Sequence, residues 1–256
     1  MSGADVSGSL TLSRNELLAL LRRVFEALYG KSCDYEAMAE QIVWLECHGL
    51  GGLDLLRTCL TRLDQEERKA DGLLIGAFAA GGTSIELDAG GASLLCFGDL
   101  LADLLISRCA EQESRRIEIA DLREGQAILP QLSRMERAGC LAAARITNLD
   151  DGTRWYAHVS GSAHLPALSG WETARDPVEK IALSLVCSTN EDSLRQAMAA
   201  LDPRWPEPTI SPGELAKSYS DSIDMGLAVG DLAAFNAIAD RVLVEATEDS
   251  RRGAGE

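Results

Sequence analysis

The sequence predicts an α+β protein: an N-terminal three-helix module, a central mixed or antiparallel sheet with a buried helix, and a C-terminal helical pair. Three observations predict it. Apolar residues recur at helical spacing over residues 13–63, glycine-punctuated short apolar runs follow, and Asp150-Asp151-Gly152 separates two alternating segments as a hairpin turn would.

The helical module opens at Ser13, whose spacing to Glu16 fits a capping box, in which each side chain satisfies an amide that a helix start leaves unpaired. Leu17, Leu20, Leu21, Val24, Phe25 and Leu28 then share a face until Gly30 ends the run. Asp34 is placed to cap a second helix through Met38, Ile42 and Leu45 that stops at Gly49. Gly51 and Gly52 turn the chain into a third, short helix with Leu53, Leu56, Leu60 and Leu63 on one side.

Beyond it, Gly72, Gly76, Gly81, Gly82, Gly90 and Gly91 separate strand candidates at residues 84–87 and 92–96. The run 97–109, with Leu100, Leu101, Leu104, Leu105 and Cys109, predicts the buried helix. Strand-like patterns return at 116–120, 141–147, 155–159 and 178–188, and Thr189 with Asp192 suits the start of a helix ending near Leu201. Pro203, Pro206 and Pro208 lack amide donors, so 202–210 reads as a linker. A second capping box, Ser211 with Glu214, and an amphipathic run from Asp231 through Leu232, Phe235, Ile238, Val242 and Leu243 predict the helical pair over 211–247. This leaves 13–201 as the main domain, with a flexible N-terminus at 1–12 and a mobile polar tail at 248–256.

Forty acidic residues against 24 basic ones give a net charge of -16, which repels phosphate backbones and anionic membranes. Neither nucleic acid nor membrane is therefore an expected partner. Seven scattered cysteines, odd in number and mostly set in apolar runs, are typical of reduced thiols. The first residues lack a basic segment followed by an apolar one, and no later apolar run is long enough to span a bilayer, so the expected location is cytoplasmic.

Glu46-Cys47-His48-Gly49 sets an acid, a thiol and an imidazole at a helix C-terminus, where the dipole favours a protonated ring. His48 is the candidate proton donor. The alternative is that His48 contacts the last helical carbonyls while Cys47 packs as a small hydrophobe, and the local sequence leaves both open. His158 and His164 match no zinc spacing, even in combination with Cys47 or Glu46, and no two cysteines stand in a Cys-x-x-Cys pair, so no metal site is assigned. The glycine run at 76–82 lacks the Lys and Ser/Thr of a phosphate loop, a dinucleotide fingerprint is missing, and Ser160-Gly161-Ser162 follows Val159 where a nucleophile elbow has glycine. The cofactor is unassigned.

Ser13-Arg14-Asn15-Glu16-Leu17, Ala37-Met38-Ala39-Glu40, Trp44-Leu45-Glu46-Cys47-His48-Gly49-Leu50-Gly51-Gly52-Leu53 and the closing Glu248-Asp249-Ser250-Arg251-Arg252-Gly253-Ala254-Gly255 resemble a bacterial family catalogued as a domain of unknown function. Leu94-Leu95-Cys96 and Ile128-Leu129-Pro130 match it more loosely, and the resemblance implies no particular activity. The N-terminal module is also similar to that of the non-Rossmann malate/lactate dehydrogenase family, whose helices end in a Ser-His-Gly segment with a catalytic His. Cys47-His48-Gly49 stands in for that segment, and Gly52 falls where the family has an Arg that binds the substrate carboxylate.

Taken together, these readings predict a small-molecule-binding or accessory protein of metabolism. The alternative is a small-molecule enzyme, oxidoreductase-like or performing acid/base chemistry on a carboxylate. In it His48 is the general acid/base, Glu46 lies at the substrate, and Arg154 or Arg251 holds the carboxylate by paired charge-assisted hydrogen bonds. The tail around Ser250-Arg251 is also a candidate arm for packing onto a second copy of the chain.

Overall fold

The computed structural model describes residues 10–29, 33–65, 84–109, 114–160, 164–171, 180–225 and 232–242. The chain forms two compact units, one from Met1–Gln65 with Ser220–Glu256 and one from Glu66–Tyr219.

In the first unit, strand β1 (Leu10–Ser13) runs straight into helix α1 (Arg14–Tyr29). The capping box at the junction is formed: Ser13 N donates to Glu16 Oε2 at 2.8 Å, and Glu16 N donates to Ser13 Oγ at 3.3 Å. Leu17, Leu21, Val24 and Phe25 are fully buried, as their spacing requires. Helix α2 (Tyr35–Cys47) starts at Asp34, whose carboxylate accepts from Ala37 N at 3.0 Å, and helix α3 (Gly52–Gln65) follows after a short turn.

The second unit is a six-stranded mixed sheet with helices on both faces. In chain order its elements are β2 (Ser84–Asp88), α4 (Leu94–Cys109), β3 (Ser114–Leu122), α5 (Ile128–Arg137), β4 (Leu141–Asn148), β5 (Arg154–Val159), β6 (Ala167–Ser169), β7 (Ile181–Ser188), α6 (Glu191–Leu201) and α7 (Pro212–Lys217). The sheet order is β2-β3-β7-β4-β5-β6, with β2–β3 parallel and every other pair antiparallel. Strand β7 lies between β3 and β4 and is buried along nearly its whole length, as a strand covered on both faces must be. On one face, Val186 and Ala143 pack against Leu194 and Leu201 of α6. Side chains alternate along a strand, so Cys187 points to the opposite face, which α4 and α5 cover.

The hairpin expected at Asp150-Asp151-Gly152 joins β4 and β5, and Gly152 takes the left-handed φ of 75° that the turn demands. Residues 92–96, expected as a strand, instead lead into α4, which starts at Leu94. A short apolar run fits either element, and here Gly90 and Gly91, both at positive φ, turn the chain into a helix. Helix α6 is capped by Asn190, one residue after Thr189, with its side chain accepting from Asp192 N and Ser193 N. Helix α5 went unread although Ile128, Leu132 and Met135 keep helical spacing; Pro130 is tolerated because it sits in the first turn.

Ser211 and Glu214 form the second complete capping box, at the start of α7. Strand β8 (Ser222–Met225) then pairs antiparallel with β1, from Leu10↔Met225 to Ser13↔Ser222. The two helices read over 211–247 are thus separated by a strand: α7 belongs to the second unit, and the helix over residues 232–242 (α8) to the first. Phe235 and Ala239 of α8 are buried, and Arg241 grips Asp64 by two hydrogen bonds of 2.6 and 3.0 Å. No described helix is long and apolar enough to cross a membrane, and none of the seven cysteines is disulfide-bonded.

Candidate functional site

His48 sits where α2 ends, and the local sequence builds the ending. Gly49 adopts a φ of 70°, which lets Gly49 N reach Glu46 O and Leu50 N reach Leu45 O, each at 2.9 Å, the two bonds of a Schellman motif. The imidazole folds back over the last turn. Its Nδ1 lies 2.7 Å from Trp44 O, and its ring stacks on the Trp44 indole at a centroid distance of 4.1 Å. A carbonyl oxygen only accepts, so Nδ1 carries a proton. His48 is 7% exposed.

The neighbours of His48 have distinct tasks. Glu46 Oε2 accepts from Leu53 N at 2.9 Å and so caps the first turn of α3. Cys47 is buried, and burial pushes its thiol up, against the Arg14 guanidinium that draws it down. Arg14, half-buried at the start of α1, thus places a positive charge near the Cys47–His48 turn. Gly52 brings the start of α3 directly against the α2 backbone: a Cβ there would lie 2.2 Å from Ile42 O and 2.9 Å from Glu46 N. No side chain fits at that position, so the carboxylate-binding Arg of the resembled dehydrogenases has no room at residue 52.

The remaining residues singled out in the sequence lie elsewhere. Arg154, in the second unit, donates to Asp202 Oδ2 at 3.0 Å, and the same oxygen accepts from Tyr156 OH at 2.8 Å. Asp202 is buried, and the Arg204 amide and the Tyr156 hydroxyl hold its carboxyl below the usual range. His158 approaches Trp205 edge-on, and burial holds its imidazole below the ordinary value against the pull of Glu207; His164 pairs instead with Glu136. The two histidines therefore have separate partners. Arg251, the tail at 248–256, the glycine run at 76–82 and Gly161-Ser162 lie outside the described residues.

Sequence reading missed two features. One is Arg14, which drew no notice beyond the family resemblance. The other is a convergence of thiols. Cys109 at the end of α4, Cys140 just before β4 and Cys187 in β7 are all buried, and their sulfurs lie within 4.8 Å of one another. Hydrogen bonds from Cys140 and Cys187 hold the Cys109 thiol down to about 4, while the same contact with Cys109 pushes Cys140 up to about 12 and Cys187 higher still. Only the folded topology joins three elements so distant in sequence.

Residues 12–85 match the model of a family described as a protein of unknown function, DUF3726. No curated protein matches the sequence. The fold is that of malate/lactate dehydrogenase-like proteins. Malate dehydrogenase from Pyrococcus horikoshii OT3 superposes with a TM-score of 0.60 at 10% identity, over 94% of this chain and 98% of that one. Malate dehydrogenase from Entamoeba histolytica gives 0.58 at 6% identity, over 91% and 98%. Sulfolactate dehydrogenase from Methanocaldococcus jannaschii gives 0.57 at 9% identity, over 90% and 97%.

Proposed function

We propose that the protein acts on a small carboxylate bearing a neighbouring carbonyl or hydroxyl, with Nε2 of His48 as the proton carrier. The observation that carries this reading is the 2.7 Å contact between Nδ1 and Trp44 O, which keeps a proton on Nδ1 and supports Nε2 as the nitrogen that would exchange one. The fold supports it, since the similar structures include dehydrogenases of malate and sulfolactate, both 2-hydroxycarboxylates. The substrate anion cannot be held from residue 52, so Arg14 takes that role, with Arg251 as the second candidate. Arg154 is a weaker candidate because Asp202 already engages it.

A nicotinamide is the hydride carrier that the dehydrogenase comparison implies. The glycines of closest approach among the described residues do not fit its phosphates: at Gly52 the space is taken by Ile42 O and at Gly125 by Ile181 Cδ1. The part of His48 is confined to the proton alone: an unprotonated Nε2 takes one from a substrate hydroxyl, and the protonated ring returns it.

The test is a panel of 2-oxo and 2-hydroxy carboxylates with NADH, NADPH and their oxidised forms, using wild type and His48→Asn. Turnover that falls about 10²–10⁴-fold in the variant supports the reading. Binding of such acids without turnover by wild type favours a second reading, a binding or accessory protein. Neither binding nor turnover rejects both.

A further inference from the structure

The central strand β7 carries Cys187 toward the face covered by α4 and α5, and both of those helices contribute a thiol there: Cys109 is the last residue of α4, and Cys140 follows α5 at the entry to β4. The three residues are 0–2% exposed. Three buried cysteines can be mere packing, since a thiol behaves as a small hydrophobe. A charged neighbour argues otherwise.

In register, Cys187 faces Arg115 on β3 and Ala142 on β4, and residues paired this way project from the same face of the sheet. Arg115 is 7% exposed, and its Nε is buried with no hydrogen-bond partner among the described residues. Burying a guanidinium beside three neutral thiols has a cost and no return, whereas beside thiolates its charge is offset.

We propose that Cys109, Cys140 and Cys187 form a buried thiolate site for one thiophilic d10 cation, zinc(II) or copper(I), with Arg115 as its charge partner. Three sulfurs at about 2.3 Å from a central ion stand about 4 Å apart, so a cluster already within 4.8 Å closes around one with small rotations. All three donors are soft sulfur, which selects these ions over magnesium, calcium or manganese. On binding, three S–H bonds are replaced by three sulfur–metal bonds and three protons leave to solvent. Zinc(II) with three thiolates has a net charge of minus one, which Arg115 balances; copper(I) fills three-coordination without a fourth donor.

The experiment uses the full chain, purified under reductant without oxygen and stripped of metal. Cobalt(II), as the probe for zinc, is expected to give a sulfur-to-metal charge-transfer band that saturates at one equivalent and is displaced by zinc(II). Copper(I) is titrated separately against a chromophoric copper(I) chelator, and retention of one equivalent is the result expected if the site takes copper(I). The band should vanish in Cys109→Ser and Cys140→Ser, persist in Cys96→Ser, which leaves the cluster intact, and need about 10–100-fold more cobalt in Arg115→Gln. The wild-type titrations stand even where a variant fails to fold. No band together with no copper(I) retention by wild type overturns the proposal, as does a band that survives Cys109→Ser, or peptide mass mapping that finds two of the three joined as a disulfide in the freshly purified protein.

Discussion

Gly52→Ala is the perturbation that most directly probes how the His48 turn is built. The added Cβ would lie 2.2 Å from Ile42 O, 2.9 Å from Glu46 N and 3.1 Å from Leu45 Cβ. Two of these are backbone atoms inside α2 and cannot rotate away. Even to reach 3.0 Å from Ile42 O the helices must part by about 0.8 Å. Overpacking of this kind costs about 1–3 kcal/mol, and the shift also weakens the bond from Leu53 N to Glu46 Oε2, a charge-assisted one worth about 1.5–3 kcal/mol. The expected loss is about 3–5 kcal/mol, against a typical total of about 5–15 kcal/mol. Urea denaturation of the wild type and the variant, followed by circular dichroism, measures it. A variant within about 0.5 kcal/mol of wild type would refute the close-approach argument and restore residue 52 as a place for an anchoring Arg.

Glu46→Ala is expected to lower stability by about 1.5–3 kcal/mol, read in the same denaturation assay, because it removes the charge-assisted bond that caps α3; Glu46→Gln, which keeps an acceptor oxygen, should lose less. Asp202→Asn tests acid sensitivity. The folded carboxyl lies below its unfolded value, so its stabilisation is complete above pH of about 4 and fades as the pH falls toward the lowered value. The denaturation midpoint of wild type should therefore exceed that of the variant at neutral pH, and the gap should close in acid. Arg154→Ala removes a cation half exposed to solvent and should leave the denaturation midpoint nearly unmoved, with carboxylate binding, followed by calorimetry, unchanged.

Local rules were the most legible part of this chain. The capping boxes at Ser13 and Ser211, the cap at Asp34, the αL glycine after His48 and the hairpin at Gly152 are decided by a few adjacent residues, and all appear where the pattern places them. What depends on distant pairing was not legible. Strand β1 has only four residues, and nothing in them names β8 as the partner. The apolar run at 92–96 fits a strand or a helix until the turn before it sets its direction. The same holds for the sites. His48 was visible because its motif is contiguous, and Gly52 as a missing Arg, although the physical reason, contact with the α2 backbone, needed the fold. The Cys109, Cys140 and Cys187 cluster obeys no spacing rule, because its members come from two helix ends and the central strand of the sheet.

The central claim, that His48 exchanges a proton through Nε2 with a small carboxylate substrate, is tested most directly by nitrogen-15 spectroscopy of the imidazoles. The sequence has three histidines, and His48→Asn assigns the resonance. Free protein should show a protonated Nδ1 and an unprotonated Nε2, and 2-hydroxy or 2-oxo carboxylates should shift the Nε2 signal. A proton on Nε2 with none on Nδ1, or a signal unmoved by every acid at saturating concentration, would contradict it.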